Sequence, residues 1–217
     1  MEKNILRNET PADYRTVEEL TKEAFWNHYT PGCNEHYLLH ILRKSEKFIP
    51  KLDFVAEAEG KIVGNIVYTK CQITGDGGEM FDVITFGPVS VLPAYQEQGI
   101  GGKLIEHTKK LAKEMGYRAV LIYGDPDYYR RFGFVPAEQY SIGTADNMYA
   151  AALQAYELYE GALSECKGHF FEGSVFDIDQ EAAAEFDKSF PFMEKQSGLP
   201  SQERFMQTLG MRKPRIL

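Results

Sequence analysis

The segment VSVLPAYQEQGIGGK, residues 89–103, decides how this chain folds. It begins with a valine-rich run, ends with three glycines and a lysine, and is followed by an amphipathic pattern. Glycine adopts backbone conformations that other residues avoid, and it lets a ligand approach the main chain closely. A strand, a glycine-rich turn and a helix, in this order, form a common binding site for phosphate groups. The segment therefore predicts a turn that holds a phosphate-containing ligand.

The residues on either side of this turn predict a βαβ unit. One strand runs from about Met80 to Val91, and a second short apolar strand follows at 118–123. The helix between them has one apolar face and ends near Gly116. Two strands joined through a helix in this way lie parallel in one sheet. The apolar face consists of Leu104, Ile105, Thr108, Leu111, Ala112 and Met115.

The first strand of this unit contains an irregularity at Gly87-Pro88. Proline cannot donate a hydrogen bond to a neighbouring strand, so a regular central strand tolerates it badly. We therefore expect a bulge or a break in pairing at this point. Such a break would leave the backbone groups of the following residues open to a ligand that lies along the strand.

Two common nucleotide-binding loops do not match the glycine-rich segment. A Walker A loop ending at Gly102-Lys103 would need a glycine at position 97 and a hydroxyl at 104. The chain has Glu97 and Leu104 there, so the residue that would bind Mg²⁺ is missing. A dinucleotide-binding fingerprint would need a third glycine at 104, where leucine also stands.

The pattern Gln96-x-x-Gly99-Ile100-Gly101, together with the preceding strand, resembles the acetyl-CoA loop of the GNAT superfamily of N-acetyltransferases. By this resemblance, backbone N–H groups at the start of the helix hold the pyrophosphate of acetyl-CoA, and CoA leaves as a product. The residues that the resemblance implies in cofactor binding are Val89, Ser90, Val91, Gln96, Gln98, Gly99, Gly101, Gly102 and Lys103.

A second motif, DPDYYRRFGF at 125–134, resembles a later motif of the same family, in which a tyrosine precedes Gly-Phe by four residues. The resemblance implies that Tyr129 is the catalytic acid that protonates the departing CoA thiolate, and Tyr128 is the competing candidate. The family commonly has an asparagine early in this motif. Here Gly124-Asp125-Pro126 stands instead, as in one bacterial subgroup of acetyltransferases, which removes one usual contact with CoA.

The resemblance covers about residues 3–140 and implies an α+β or α/β fold. We expect a mixed, mostly antiparallel central sheet that is split between two parallel strands, with helices on both faces. An acetyltransferase domain would span residues 1–145, and residues 146–217 would form a structured extension packed on the same domain.

Two helices and a hairpin are predicted before the glycine-rich segment. Thr10-Pro11 is typical of a helix start, and helical spacing continues to Phe25. The alternation of residues 53–68 around a Glu59-Gly60 turn predicts a hairpin. Between them, a second helix is predicted at about Asn34–Lys47, with Tyr37, Leu38, Ile41 and Leu42 facing inward.

The sequence pattern of the extension, residues 146–217, allows more than one structure. Residues 149–163 fit either a helix or a strand, and Asp177 or Asp179 could cap a helix that runs to Phe190. We expect the basic end, residues 211–217, to be a solvated tail. Two interpretations of the phenylalanine-rich extension remain open: a cover over the acceptor cleft, or a subunit interface in a homodimer.

The implied reaction is direct transfer of an acetyl group from acetyl-CoA to an amine of a small molecule or peptide, which makes the protein an N-acetyltransferase. The alternative, from another class, is a CoA-binding sensor or scaffold without transferase activity. No general base is assigned, although Glu35, His28 and Tyr29 fall where the family's first helices border the acceptor.

The composition of the chain excludes several classes of partner and site. The chain has 217 residues with a net charge of −8, which argues against general binding to nucleic acid or to anionic membranes. It has no apolar run of membrane-spanning length and only three, widely spaced cysteines, so we expect a cytoplasmic protein without disulfides. Cys33, His36 and His40 have helical spacing but lack a fourth ligand, so we expect no metal site.

Overall fold

The computed structural model describes residues 5–216, and it has an α+β arrangement of elements. In this range the α-helices are α1 (Tyr14–Phe25), α2 (Glu35–Leu42), α3 (Ile100–Glu114), α4 (Pro126–Tyr129), α5 (Gln180–Asp187) and α6 (Pro200–Gly210). The strands are β1 (Ile5–Asn8), β2 (Phe54–Ala58), β3 (Lys61–Gly75), β4 (Met80–Val91), β5 (Ala119–Tyr123), β6 (Val135–Pro136), β7 (Ile142–Thr144), β8 (Met148–Ala150), β9 (Leu153–Glu157), β10 (Gly168–Phe171) and β11 (Arg212–Pro214).

The elements form two compact units, and long elements such as β3, β4 and α3 contribute to both. The first unit contains the described residues up to Tyr68, with Gly87–Thr108 and Ser174–Glu203. The second contains Thr69–Phe86, Lys109–Gly173 and the residues from Arg204 onward. Each unit therefore includes residues from both sides of position 145, where the sequence predicts the end of the acetyltransferase domain.

The first unit contains the predicted hairpin, which is confirmed. Strand β2 pairs antiparallel with both β1 and β3, and Phe54 lies opposite Asn8 on one side and Ile66 on the other. The turn between β2 and β3 places Glu59 at φ 53° and Gly60 at φ 75°. Two successive residues with positive φ match the right-handed twist of the strands they connect.

Helix α1 begins later than predicted but ends at Phe25 as expected, and helix α2 ends earlier than predicted. Helix α1 starts at Tyr14 because the Asp13 carboxylate accepts hydrogen bonds from Arg7 Nη1 at 2.7 Å and from Thr10 Oγ1 at 2.7 Å, which keeps residues 10–13 in a turn. Helix α2 ends at Leu42 rather than Lys47. Its buried face consists of His36, Leu39 and Leu42. Of the residues predicted to face inward, Leu42 is buried and Leu38 packs half-buried against the same core, whereas Tyr37 and Ile41 are only half-buried.

The segment between α5 and α6 is held against the loop that follows α1, within the first unit. Asn27, at φ 61°, accepts hydrogen bonds through Oδ1 from the N–H groups of Gly32 at 2.8 Å and Gln196 at 3.0 Å. Its Nδ2 donates to the Glu194 carbonyl at 2.9 Å, and its own carbonyl accepts from Gln202 Nε2 at 3.0 Å. One side chain thus connects this part of the extension to the N-terminal helices.

The second unit contains the parallel pair that the βαβ pattern predicts. Strand β4 pairs parallel with β5 at Ile84 and Val120, and β5 pairs antiparallel with β9 from Ala119 to Tyr123. Strand β6 lies on the other side of β9. Because β9 comes from the ambiguous segment 149–163, that segment is a pair of strands rather than a helix.

The basic end of the chain also folds in the second unit. Strand β11 pairs antiparallel with β8, and the side chain of Arg212 contacts Asp146 at 2.6 Å. Arg215 is buried and donates from Nη1 to Asp76 Oδ1 at 2.8 Å. The predicted solvated tail was therefore wrong for residues 212–215, Ile216 is exposed, and Leu217 lies outside the described residues.

The expected fold class is confirmed. The strands of the larger sheet follow the order β1-β2-β3-β4-β5-β9-β6, with β10 pairing both β3 and β7. Most neighbours are antiparallel, and the β4–β5 pair is parallel with a register of one residue pair. No helix of residues 5–216 has the length and apolar character needed to cross a bilayer.

Candidate functional site

The glycine turn lies in the first unit and is exposed where helix α3 begins. A short 3-10 turn, Pro93–Tyr95, leads into residues 96–99, all of which are exposed. Glu97 has φ 60° and Gly99 has φ 78°, so the chain turns twice through the left-handed region. Glycine at 99 is suited to this conformation, and a side chain there would be strained although the space beside it is open.

The start of α3 offers donors for an anion. The N–H of Lys103 donates to the Gly99 carbonyl at 3.0 Å, which is the first bond of the helical ladder. The N–H groups of residues 100–102 precede that bond, and the first N–H groups of a helix lack partners inside it. The helix dipole adds partial positive charge at the same end. These features suit a phosphate group.

Lys103 differs in detail from the expectation. Its N–H was expected to take part in the cradle, but that donor is used by the Gly99 carbonyl. The Lys103 side chain is exposed next to the turn. Any contribution of Lys103 to anion binding therefore comes from the ammonium group rather than the amide.

The two glutamines of the turn use their side chains to shape it. Gln96 Nε2 donates to the Val91 carbonyl at 3.0 Å, and Gln98 Nε2 donates to the Ala94 carbonyl at 3.2 Å. Both bonds connect the turn to the residues just before it. The backbone of these two residues, rather than their amide side chains, is the part suited to contact a ligand.

The end of strand β4 has a buried serine between two half-buried valines. Ser90 is buried, and its hydroxyl lies 3.0 Å from that of Thr21. Val89 and Val91 are half-buried. A Cβ atom added at Gly64 would lie 3.1 Å from both the Ser90 carbonyl oxygen and Ile100 Cγ2, so glycine there allows β3 to approach the first turn of α3.

The predicted break at Gly87-Pro88 is only partly present. Strand β4 is continuous from Met80 to Val91, and the Gly87–Pro88 peptide bond is cis. The parallel register with β5, however, is limited to Ile84 and Val120, upstream of Gly87. The interruption thus affects pairing with the neighbour and not the extended backbone itself.

Tyr129 lies in the second unit, at the end of the four-residue helix α4. Its half-buried ring packs against the rings of Phe86 and Phe134, with centroids 5.8 and 5.7 Å away. A Cβ atom at Gly124 would lie 2.1 Å from Tyr129 Cε2, so the ring lies directly over the backbone of residue 124. Glycine at position 124 therefore makes room for the tyrosine ring.

Tyr128, the competing candidate, has a different environment. The guanidinium carbon of Arg131 lies 4.4 Å from the centre of its ring, and Arg131 Nε donates to the Tyr128 carbonyl at 3.1 Å. Burial raises the pKa of the Tyr128 hydroxyl above its ordinary value.

Arg204 is a residue of this region that the sequence did not single out. Its Nε donates to Asp125 Oδ2 at 2.8 Å, and its Nη2 donates to Asp127 Oδ2 at 3.0 Å. These bonds to Arg204 hold the pKa of the Asp125 carboxyl below its usual range. No local motif predicts this contact, because Arg204 and Asp125 are 79 residues apart.

The residues considered for a general base lie around the N-terminus of α2, in the first unit. Burial raises the pKa of Glu35, whose Oε2 accepts from the Asn34 N–H at 3.0 Å. Burial also lowers the pKa of His28, whose ring centroid is 4.5 Å from that of Tyr29. A raised carboxyl pKa suits a group that accepts a proton near neutral pH.

The histidines of α2 contact different acids. His36 Nε2 lies 3.1 Å from Asp187 Oδ1, while its Nδ1 lies 3.5 Å from Cys33 Sγ. His40 Nδ1 lies 2.8 Å from Glu18 Oε1. Within the part of the chain that the structure describes, no group of three or more His, Cys, Asp or Glu side chains is arranged to hold a metal ion.

Comparison with known proteins finds one family similar to this chain. A sequence model described as "Acetyltransferase (GNAT) domain" matches residues 51–136, a range that includes the glycine turn and the Tyr129 motif. The uncharacterized N-acetyltransferase YjhQ of Escherichia coli strain K12 is 35% identical over 125 residues. That match covers 58% of this chain and 66% of YjhQ, slightly less than two thirds of the relative.

Two solved structures have the same fold. The GNAT family N-acetyltransferase YhbS of Escherichia coli, in complex with CoA, has a TM-score of 0.70 at 26% identity, covering 82% of this chain and 94% of that one. A GNAT family acetyltransferase of Brucella melitensis, in complex with acetyl-CoA, has a TM-score of 0.66 at 28% identity, covering 82% and 100%. The matched domain, these relatives and the shared fold together support a GNAT family N-acetyltransferase.

Proposed function

We propose that this protein transfers the acetyl group of acetyl-CoA to an amine of a small molecule or peptide. The observation that carries the proposal is the exposed turn at residues 96–99, after which the hydrogen-bond ladder of α3 begins only at Lys103 and leaves the preceding N–H groups for an anion. The related proteins YhbS and the Brucella melitensis acetyltransferase have structures with CoA and acetyl-CoA, respectively. Their ligand contains the pyrophosphate that such a cradle suits.

The cradle is formed mainly by backbone groups. The N–H groups of Gln98, Gly99, Gly101 and Gly102 hold the pyrophosphate, and the Lys103 ammonium adds positive charge beside it. The side chains of Gln96 and Gln98 keep the turn in shape through their bonds to the preceding carbonyls. The end of β4, from Val89 to Val91, contacts the pantetheine arm through its main chain.

The reaction is a direct attack of the amine on the thioester carbonyl. An alkyl ammonium group has a pKa of about 10.4 and must lose a proton before its nitrogen becomes nucleophilic. The nitrogen forms a bond to the carbonyl carbon, and the C–S bond then breaks. The N–H of Val89 stabilises the negative charge that develops on the carbonyl oxygen. Tyr129 gives its proton to the departing sulfur, so that free CoA thiol leaves, and the acylated nitrogen loses one proton in turn, which balances the proton that Tyr129 must recover.

The acceptor is defined only by its chemical class. A net charge of −8 favours the approach of cationic amines over that of neutral or anionic ones. Glu35, His28 and Tyr29 remain the residues from which a proton acceptor is best sought, because burial shifts the pKa of the first two toward each other.

The test is a panel of polyamines, aminoglycosides, amino acids and peptides with free N-termini, each incubated with acetyl-CoA. Release of free thiol and the mass of the amine product would be measured together. We expect thiol release that depends on one class of amine and yields its acetylated form. Binding of acetyl-CoA without acetylation of any amine would favour a sensor or scaffold, and absence of binding would contradict the proposal altogether.

A further inference from the structure

Helix α4 is a single turn, so its geometry depends on the residue that caps it. Single turns are unfavourable without outside support. Asp125 Oδ1 accepts from the Asp127 N–H at 2.8 Å, and the Asp125 carbonyl accepts from the N–H groups of Tyr128 and Tyr129, both at 3.1 Å. The position of Asp125 therefore sets the direction in which the Tyr129 side chain leaves the helix.

The ring of Tyr129 is fitted closely to the same cap. The space above residue 124 is taken by the ring, because a Cβ atom at that position would overlap Tyr129 Cε2 at 2.1 Å and Cδ2 at 2.6 Å. A small movement of the 124–125 backbone would consequently move the ring. Effective proton transfer requires the donor to be within hydrogen-bond reach of its target, so such a movement affects catalysis.

The side chain of Asp125 is held by Arg204 from helix α6, also in the second unit. Besides the Nε–Oδ2 bond, Arg204 Nη2 donates to Asp125 Oδ1 at 3.1 Å, which completes a two-point contact. The same nitrogen contacts Asp127. A planar guanidinium that binds a carboxylate at two points fixes its orientation as well as its distance.

The part of α6 that carries Arg204 is itself anchored in the second unit. The Ala151 N–H donates to the Met211 carbonyl at 2.9 Å, directly after the helix, and β11 then pairs with β8. The Arg212 side chain contacts Asp146. The segment that carries Arg204 is therefore held in place by backbone hydrogen bonds that do not involve Asp125.

The negative charge of the first turn of α4 explains why Asp125 needs Arg204 as a partner. Asp125 and Asp127 place two carboxylates in one turn, and Arg204 contacts both. Arg130 is another cation close to this pair, with its Nη1 3.5 Å from Asp127 Oδ1, and the side chains of Arg130 and Arg204 are both largely exposed. Without Arg204, repulsion between the two carboxylates would draw Asp125 away from the Asp127 N–H.

We propose that Arg204 is a positioning residue for acetyl transfer: it fixes the Asp125 cap and thereby holds Tyr129 in the orientation that delivers its proton. This inference rests on the proposed function, in which Tyr129 protonates the leaving sulfur. It gives the C-terminal helix a role in the reaction through a contact that spans 79 residues of sequence.

The test compares kcat and KM for acetyl-CoA in variants of the full chain. The acceptor is the panel amine that gives the fastest thiol release, or water if no amine exceeds it. We expect Arg204→Ala to lower kcat about tenfold while KM for acetyl-CoA changes less than about twofold, since a misplaced group affects the reacting step. Arg204→Lys keeps the positive charge but loses the two-point contact of the guanidinium, so its kcat should lie between those of Arg204→Ala and the unchanged protein. Arg130→Ala is the matched control and leaves kcat unchanged.

Variants of Tyr129 and Asp125 distinguish a failure of the positioning role from a failure of the proposed acid role of Tyr129. In a protein that already carries Tyr129→Phe, we expect Arg204→Ala to cause no further loss of kcat. Asp125→Asn alone should lower kcat as much as Arg204→Ala does, and the double variant of Asp125 and Arg204 should lose no more than either single variant. An unchanged kcat in Tyr129→Phe alone would contradict the role of Tyr129 itself. A normal kcat in Arg204→Ala, or an equal loss with and without Tyr129, would overturn the positioning role. If Arg204→Ala does not fold, Arg204→Lys and Asp125→Asn make the same comparison.

Discussion

The ring of Tyr129 lies so close to Gly124 that a Cβ atom on residue 124 would come within 2.1 Å of Tyr129 Cε2. Backbone and ring are in direct contact, so nothing larger than hydrogen fits between them. Residue 124 thus limits where the tyrosine can lie.

The first prediction follows from this contact. Gly124→Ala should displace the Tyr129 ring and lower kcat at least about tenfold, with little change in acetyl-CoA affinity. Steady-state kinetics and acetyl-CoA titration would measure both. Gly210→Ala is the control, since a Cβ there has no neighbour within 4 Å. Full activity of Gly124→Ala would show that the ring position does not matter.

The second prediction separates the two tyrosines. Tyr129→Phe should reduce kcat by about 10²–10⁴, the range for loss of a general acid, while the dissociation constant of acetyl-CoA stays close to that of the unchanged protein. Tyr128→Phe should retain most of the activity, because its ring is engaged with Arg131. The reverse pattern would move the acid role to Tyr128.

The third prediction concerns pH and a buried pair of carboxyl groups. Burial and the neighbouring Asp53 carboxyl raise the pKa of Glu9 to about 9, although Arg43 Nε donates to Glu9 at 3.1 Å. The folded state therefore holds a proton that the unfolded state releases near its ordinary pKa of 4.5. This stabilisation is complete below about pH 4.5 and is lost as pH rises toward 9.

Urea unfolding between pH 5 and 9 tests whether this stabilisation is lost as the pH rises. For Glu9→Gln, which cannot lose the proton, the free energy of unfolding should rise relative to that of the unchanged protein by up to about 1.4 kcal/mol per pH unit. The difference between the two proteins should level off above about pH 9. Parallel curves over the whole range would mean that Glu9 is already ionised in the folded state.

The fourth prediction concerns how the extension is attached. Asn27→Ala removes three side-chain hydrogen bonds and places alanine at φ 61°, so it should reduce the free energy of unfolding by about 2 kcal/mol. Asn27→Gly keeps the backbone conformation and should lose less. Asn147→Ala, at a similar φ of 60° in the second unit, loses one side-chain contact and is the comparison. Equal stability of all three variants would contradict the attachment.

Features determined by neighbouring residues were predictable from the sequence. The Glu59-Gly60 hairpin, the glycine turn before α3 and the cap of α5 each depend on the conformational preferences of a few adjacent residues. Asp179 illustrates this, because its carboxylate accepts from the N–H groups of Glu181 at 2.9 Å and Ala182 at 3.1 Å, as a capping aspartate should.

Features that depend on distant contacts were missed. The basic end looked solvated because nothing near it indicates that Arg215 pairs with Asp76, 139 residues away. Residues 149–163 looked ambiguous because their conformation is decided by β5, with which β9 pairs. The role of Arg204 could not be found in the tyrosine motif, since it lies outside that motif.

The central claim is that the glycine turn before α3 binds acetyl-CoA, and calorimetric titration tests it most directly. Gly102→Asp places a carboxylate in the first turn of α3, where the helix dipole favours it but a bound phosphate would be repelled. Gly102→Ala adds volume without charge and is the matched control. We predict that the unchanged protein binds acetyl-CoA and that Gly102→Asp binds at least about tenfold more weakly than Gly102→Ala. No binding by the unchanged protein, or equal binding by the two variants, would contradict the account.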